Sequence, residues 1–177
     1  MVDVGPPPLS YMFQSLTHSV EDQEYVILQN EAVVSVPSDL EPSEYAPFLC
    51  AGVTVFNSIR NMNIPSGATV AVQGLGGLGH LALQYADKMG YHVIALSTSG
   101  SKEQFAKDLG AKEYIDASKK GWGEALKEKG GLELIVSTAP NPTVAKELQV
   151  GLEAMGTLLL LGREFSFNQV SGEVLAD

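Results

Sequence analysis

The stretch between residues 69 and 96 constrains the fold of this chain more than any other. It begins with the apolar, β-branched run at residues 69–73, which predicts a buried strand. A turn of sequence GLGGLG follows at residues 74–79, and apolar residues then recur at helical spacing as far as Gly90. Residues 92–96 form a second apolar run. A strand, a glycine-rich turn, a helix and a second strand in this order predict a βαβ unit with parallel strands.

Each glycine of the GxGxxG pattern has a physical reason to be there. Gly74 permits a tight strand-to-helix reversal, and Gly76 leaves room for backbone N–H groups to approach a pyrophosphate. Gly79 lets the helix pack close against the strand, and the N–H groups at the start of that helix favour an anion. Because the pattern lies inside a βαβ unit, it predicts a dinucleotide site. The alternative interpretation is a glycine-rich turn of an α/β fold that binds nothing.

The residues after the second strand bear on which dinucleotide would bind. A site for NAD has Asp or Glu about 20 residues after the turn, where it accepts a hydrogen bond from the ribose 2′-OH. Here residues 97–102 read STSGSK, with no carboxylate. Small hydroxyl groups and the point charge of Lys102 suit a 2′-phosphate, which favours NADP. Ser101 also fits the start of a helix, with Gln104 completing a capping box, and both interpretations stay open.

Helices and strands continue to alternate as far as residue 161. The apolar runs predict three further strands and three further helices: strands at 113–116, 132–137 and 156–161, and helices at 102–109, 123–129 and 143–152. The predicted fold class is therefore α/β, a Rossmann-type doubly wound parallel sheet. Ligands of such sheets bind at the carboxyl ends of the strands.

The chain before this sheet has a different pattern. Short apolar runs at residues 25–28 and 32–36 predict a small N-terminal β appendage, and residues 43–62 predict a long, mostly buried helix. We therefore divide the chain into an N-terminal region at residues 1–42 and a dinucleotide-binding Rossmann domain at residues 43–177.

The charge of the chain is unevenly distributed. The formal net charge is −10, and the first 59 residues contain no Lys or Arg but eight Asp or Glu. Such a surface disfavours nucleic acid or an anionic membrane as a partner, since both need basic patches. No apolar run reaches membrane-spanning length, and the N-terminus lacks the features of a secretory signal. The single cysteine, Cys50, excludes an internal disulfide, and we expect a cytoplasmic protein.

Three segments carry a family resemblance: APFLCAGVTVF at residues 46–56, GLGGLGH at residues 74–80 and LGA at residues 109–111. With them the chain resembles the zinc-type medium-chain alcohol dehydrogenases, in particular the NADP-dependent branch around cinnamyl alcohol dehydrogenase.

The resemblance implies a set of cofactor contacts. It implies that Thr54 faces the nicotinamide and that residues 138–139 and 161–162 line that end of the site. The pyrophosphate would lie on the backbone of residues 74–78, and the adenosine phosphate would lie near residues 97–102. The residues implied are Thr54, Gly74, Leu75, Gly76, Gly77, Leu78, Ser97, Thr98, Ser99, Lys102, Thr138, Ala139, Leu161 and Gly162.

The chain also departs from the family in its metal ligands. Cys50 matches the last catalytic zinc ligand, but the sequence has no Gly-His-Glu motif, no second cysteine and no four-cysteine structural lobe. A catalytic zinc needs about three protein ligands, so we expect no zinc site and interpret Cys50 as a small buried hydrophobic residue. By the same comparison, residues 1–42 correspond to a remnant of the catalytic domain. We interpret His80 as a packing or capping residue and Trp122 as a packing residue.

The sequence therefore predicts a truncated member of this family that binds NADP(H) and lacks a complete zinc site, with no catalytic residues assigned. One alternative is a non-redox enzyme, a cyclase, isomerase or lyase, that holds a small metabolite in the inherited cleft, with Thr54 or Tyr25 as polar groups. Another is a cofactor-sensing binding module. An apolar rim left uncovered would favour a homo-oligomer.

Overall fold

The computed structural model describes residues 35, 37–118, 121–139 and 142–161. The chain divides into two units, Met1–Glu41 and Pro42–Asp177, and every element below belongs to the second. The strands predicted at residues 25–28 and 32–36 lie outside the described residues, apart from Ser35, which has no regular secondary structure.

The second unit alternates helices and strands. Its strands are β1 Thr69–Gln73, β2 His92–Ser97, β3 Glu113–Asp116, β4 Leu132–Ser137 and β5 Leu152–Leu160. Its α-helices are α1 Pro42–Tyr45, α2 Ala51–Arg60, α3 Gly77–Lys88, α4 Glu103–Asp108, α5 Trp122–Lys127 and α6 Pro142–Val150. Two 3₁₀ turns, Ala46–Leu49 and Gly100–Lys102, precede α2 and α4.

The five strands form one parallel sheet in the order β3-β2-β1-β4-β5. The order reverses between β1 and β4, which is the switch point where ligands bind in such folds. In the register of the sheet, Gln73 at the end of β1 lies beside Leu96 of β2 and Ser137 of β4. The predicted Rossmann-type α/β fold is confirmed.

Alternate side chains of the central strands enter two separate cores. On one face, Val70 and Val72 belong to a buried cluster that includes residues of α2 and α3. On the other face, Ala71 belongs to a buried cluster with Trp122 of α5 and Leu148 of α6. The sheet is therefore covered by helices on both faces, as an all-parallel sheet requires.

The prediction of one long, mostly buried helix at residues 43–62 is wrong. Residues 42–60 instead form α1, a 3₁₀ turn and α2. Only Gly52, Val55 and Ile59 of α2 are buried, since these are the residues through which α2 packs against the rest of the unit. The other apolar side chains of this segment are 40–54% exposed, namely Phe48, Leu49, Val53 and Phe56.

The interpretation of Cys50 as a buried residue is also wrong. Cys50 is exposed, because it lies at the junction between the 3₁₀ turn and α2, next to the exposed Leu49.

The edge strand β5 begins four residues earlier than predicted, because its pairing with β4 is irregular. Leu132 pairs with Leu152, but Leu134 pairs with Thr157, so β5 advances five residues while β4 advances two. Met155 lies inside this irregularity with a φ of 70° and is 99% exposed. Among the described residues, β5 pairs only with β4. Among all the residues that the structure describes, no helix is long and apolar enough to cross a lipid bilayer.

Candidate cofactor-binding site

The glycine-rich turn between β1 and α3 has the geometry that its sequence predicts. Gly74 has a φ of +91°, and a Cβ there would lie 2.7 Å from Oγ1 of Thr138. A Cβ at Gly79 would lie 1.8 Å from the backbone oxygen of Gly74, so helix and strand approach as closely as backbone allows. A Cβ at Gly76 would meet nothing within 4 Å. The tight reversal and the close packing are confirmed, and Gly76 faces open space.

The N-terminus of α3 opens at this turn. Gly76 is the N-cap residue and provides no side-chain cap, and the first helical bond runs from the N–H of His80 to the oxygen of Gly76 at 3.0 Å. The N–H groups of the first helical turn therefore have no acceptor within the helix. Nδ1 of His80 lies 3.2 Å from the same Gly76 oxygen, a contact that satisfies none of the free N–H groups, so His80 does not cap the helix.

A cavity of about 300 Å³ lies at the carboxyl ends of the strands. Six residues from the implied cofactor set line it: Gly74, Leu75, Ser97, Thr98, Lys102 and Ala139. Three further residues complete the lining: Gln73, Trp122 and Val144. The volume lies at the lower end of the range for small-molecule sites, so the cavity is large enough for part of a dinucleotide.

Lys102 connects the segment after β2 with the glycine-rich turn. It ends the 3₁₀ turn after β2, and its Nζ donates to the backbone oxygen of Leu75 in the glycine-rich turn at 3.4 Å. The ammonium group therefore lies beside the turn that would hold a phosphate. Lys102 is also the one charged residue among those lining the cavity.

The alternative interpretation of Ser101 as the start of a capping box is wrong. The N-cap residue of the 3₁₀ turn is Ser99, whose Oγ accepts from the N–H of Ser101 at 3.2 Å and lies 2.9 Å from Oγ of Ser101. The α-helix proper begins only at Glu103, with no side-chain cap. The 3₁₀ turn moves the cap two residues upstream, and Ser99 lies outside the cavity lining.

Two buried polar side chains, Gln73 and Ser137, form a hydrogen bond at this site that the sequence analysis did not predict. Oγ of Ser137 donates to Oε1 of Gln73 at 2.7 Å. Ser137 is 0% exposed and Gln73 is 5% exposed. Next to them, Oγ1 of Thr138 donates to the backbone oxygen of Gln73 at 3.0 Å. These bonds hold the start of the glycine-rich turn against the end of β4. The sequence did offer a signal for a polar contact here, namely a glutamine at the end of an otherwise apolar strand.

The structure does not bring the whole implied set together. Thr54 is exposed on α2, and Leu161 donates its N–H to the oxygen of Ser137 at 2.8 Å without lining the cavity. Gly76, Gly77, Leu78 and Thr138 also lie outside the lining, although they belong to the turn or contact it. Gly162 lies outside the described residues.

The described part of the chain does not fit a zinc ion. Among these residues, no three His, Cys, Asp or Glu side chains lie close enough together to hold a metal. The expected lack of a zinc site stays a prediction for the chain as a whole.

The reversed strand order and the glycine-rich turn at the switch point define a nucleotide-binding domain of the dehydrogenase type. Residues 77–172 match the family described as zinc-binding dehydrogenase. The chain belongs to this family, the zinc-type medium-chain alcohol dehydrogenases, and the resemblance inferred from sequence is confirmed.

Similar proteins agree with this assignment. The chain is 58% identical to alcohol dehydrogenase patD of Aspergillus clavatus over 138 residues, which are 78% of this chain and 36% of the relative. A structure of CAD from Helicobacter pylori complexed with NADP(H) has a TM-score of 0.63 and 31% identity, and the match covers 73% of this chain and 35% of that one.

The quinone oxidoreductase of Thermus thermophilus, also described in complex with NADPH, has a TM-score of 0.60 and 26% identity. That match covers 77% of this chain and 51% of the other. The chain thus spans between about a third and a half of the length of the relatives that it matches.

Proposed function

We propose that this chain binds NADP(H), with the pyrophosphate at the glycine-rich turn and the 2′-phosphate of the adenosine at Lys102. The observation that carries the proposal is the charge of the cavity. In a chain of net charge −10, the cavity at the switch point is lined by one cation and no carboxylate. A dianionic phosphate is favoured at such a place, whereas the carboxylate that would accept from the 2′-OH of NAD is missing from the lining.

The residues present fit the cofactor. The open space at Gly76 allows a phosphate to approach the N–H groups at the start of α3, and Ser97 and Thr98 supply hydroxyl groups beside Lys102. The relatives from Helicobacter pylori and Thermus thermophilus are described in complex with NADP(H) or NADPH, which supports the same cofactor here. When bound, a nicotinamide cofactor supplies hydride chemistry, and the residues named here bind and orient it.

Calorimetric titration with NADPH and NADH tests this proposal. We expect the full chain to bind NADPH more tightly than NADH. Lys102→Ala should weaken NADPH binding about tenfold or more and NADH binding by clearly less, because both cofactors carry the pyrophosphate but only NADPH carries the 2′-phosphate. The matched control is Lys107→Ala, since Lys107 lies on α4, pairs with Glu103 at 2.6 Å and does not line the cavity.

An equal loss for both cofactors in Lys102→Ala would contradict a 2′-phosphate site at this lysine. Failure of the wild-type chain to bind either cofactor would contradict the proposal itself.

We also propose that the chain self-associates through the exposed apolar side chains around α2. Val53 and Phe56 are 54% and 40% exposed and lie three residues apart, so they share one face of the helix. Leu49 precedes Val53 by four residues and is 50% exposed. Exposed apolar side chains of this kind favour association with more protein.

A further inference from the structure

The side chain of Gln73 is buried, and one end of its amide has no partner. Gln73 ends β1, is 5% exposed and lines the cavity at the switch point. Its Oε1 accepts from Oγ of Ser137 at 2.7 Å. Among the residues that the structure describes, its Nε2 makes no hydrogen bond. A glutamine amide carries two N–H donors, so both donors of this side chain are free to bind something else.

The amide nitrogen of Gln73 is open to the cavity. In the described part of the chain, Nε1 of Trp122 is the one side-chain nitrogen or oxygen that is both buried and unpartnered. Since Nε2 of Gln73 is unpartnered as well, it retains accessible surface. The side chain is otherwise enclosed, and the open space that it lines is the cavity. The small exposed part of Gln73 therefore includes the amide nitrogen, which faces the cavity.

Ser137 determines which end of the amide faces the cavity. It is 0% exposed, and it lies beside Gln73 in the register of β1 and β4. Because its hydroxyl group holds Oε1, the N–H groups of the amide are directed elsewhere. A donor that is already fixed before a ligand arrives loses little side-chain freedom on binding, which favours affinity.

The side of the cavity around Gln73 is apolar. By the alternation of β1, Gln73 lies on the same face of the sheet as Ala71, whose buried cluster contains Trp122 and has Val144 packed against it. Trp122 and Val144 also line the cavity, together with Ala139. An apolar wall with one buried donor fits a flat ring that carries an acceptor at its edge.

The other side of the cavity is polar and positively charged. Ser97 ends β2, the strand next to β1, and Thr98 and Lys102 follow it. A ligand that fits both sides therefore joins an anionic group to a flat ring with an acceptor.

We propose that Gln73 recognises the adenine of the bound cofactor by donating a hydrogen bond from its side-chain amide to a ring nitrogen of the base. The inference rests on the proposed binding of NADP(H) and adds a residue that selects the base. In adenosine 2′-phosphate, the carbon that carries the phosphate is bonded to the carbon that carries the base. A phosphate at Lys102 therefore places the base close by, and the edge of adenine is complementary to a glutamine amide.

Gln73→Met removes the donor and keeps a side chain of similar length. We expect adenosine 2′-phosphate to bind this variant about tenfold more weakly than wild type, because one hydrogen bond to the ligand is lost. Calorimetric titration measures both affinities. Thermal unfolding without ligand should show a folded but less stable protein, since the hydroxyl group of Ser137 loses its acceptor.

The ligand provides the second half of a double cycle. Analogues of adenosine 2′-phosphate in which one ring nitrogen at a time is replaced by C–H identify the acceptor. One analogue should bind wild type about tenfold more weakly than the parent compound, whereas Gln73→Met should bind the two equally. Lys102→Ala should bind both more weakly and keep the difference between them, because it retains the amide.

Gln73→Glu gives a second test that does not depend on the folding of Gln73→Met. Its carboxylate still accepts from Ser137 but has no N–H to donate. Charge repulsion should weaken the binding of every phosphate ligand to this variant, yet the parent compound and the analogue should bind it equally.

Ser137→Ala is the matched control for the loss of a buried hydrogen bond. It removes the same bond to Oε1 and leaves the N–H groups of Gln73 in place. We expect it to lose about as much stability as Gln73→Met. It should lose clearly less affinity for adenosine 2′-phosphate and keep the difference between the parent compound and the analogue.

Equal affinities of Gln73→Met and wild type for adenosine 2′-phosphate would overturn this inference and leave the proposed function standing. It would also be overturned if wild type bound every ring-nitrogen analogue as tightly as the parent compound. Equal losses of affinity in Ser137→Ala and Gln73→Met would assign the effect to packing and overturn the inference too. Failure of wild type to bind NADPH or adenosine 2′-phosphate would overturn the proposed function and the inference together.

Discussion

Two glycines of the turn between β1 and α3, Gly74 and Gly79, are required by the space around them, and Gly79 makes the sharpest prediction for a single residue. Gly79→Ala would place a methyl group 1.8 Å from the backbone oxygen of Gly74, which no side-chain movement can relieve. We expect a loss of about 3 kcal/mol or more in the free energy of unfolding, because α3 must move away from β1. Thermal or urea unfolding of the purified variant measures this loss.

Gly76→Ala is the matched control in the same turn, since a Cβ there meets nothing within 4 Å and the φ of Gly76 is −97°. It should unfold within about 0.5 kcal/mol of wild type and still weaken NADPH binding, because the methyl group would enter the space that we propose for a phosphate. A stable Gly79→Ala protein would show that the close approach of helix and turn is absent in solution.

The residues of the site differ in how visible they were in the sequence. Lys102, Ser97 and Thr98 were predicted because their position after β2 alone defines a possible phosphate pocket. The hydrogen bond of Gln73 to Ser137 and the position of Trp122 in the cavity lining were not predicted, since both depend on neighbours far away in the sequence. A local pattern identifies residues that act through their place in a motif, and tertiary contacts identify the others.

At the scale of elements, Glu113 connects three of them at the amino end of the sheet. It begins β3, and its carboxylate accepts hydrogen bonds from Lys129, which follows α5, and from His92 of β2 at 3.1 Å. The bond from Lys129 is the main cause that holds the pKa of Glu113 below its ordinary value, opposed by partial burial and assisted by His92. The carboxylate therefore stabilises the folded chain.

The pH dependence follows from the sign of that shift. A carboxyl group with a lowered pKa in the folded state stabilises the protein above its unfolded pKa, and this contribution is lost as the pH falls through the lowered value. Glu113→Gln should therefore flatten the fall of stability on acidification, with an effect at neutral pH below about 1 kcal/mol because the pair is solvent-exposed. Urea unfolding at a series of pH values from neutral to acid measures it.

The matched control is Glu124→Gln, an exposed acid on α5 outside this cluster, which should keep the wild-type slope. An unchanged slope in Glu113→Gln would show that the ion pairs of Glu113 do not persist in solution.

The bounds of an element were predictable from the sequence where its residue pattern alone determines them. The bounds predicted for β1, β3 and β4 are those of the structure. β1 and β4 are largely apolar runs, and in β3 two acids enclose Tyr114 and Ile115. The start of β5 was not predictable, since the irregularity around Met155 arises from its pairing with β4. Burial of the segment before β1 was overestimated, because apolar composition predicts a buried face only where another element covers it.

For the whole molecule, the balance between its exposed apolar residues and its net charge of −10 decides whether it associates. Burying the apolar face of α2 favours association, whereas like charges on the two copies oppose it and are screened by salt. We therefore expect the chain to self-associate and the association to strengthen as the salt concentration rises. Sedimentation velocity at several protein and salt concentrations measures both effects.

The double variant Val53→Ser, Phe56→Ser should remain monomeric under conditions where wild type associates. Phe105→Ser is the control, at a 47% exposed phenylalanine on α4, and should associate like wild type. A monomeric wild-type chain at all concentrations would remove the α2 face as an interface between copies, and association that weakens with salt would indicate that charge pairs between copies hold them together.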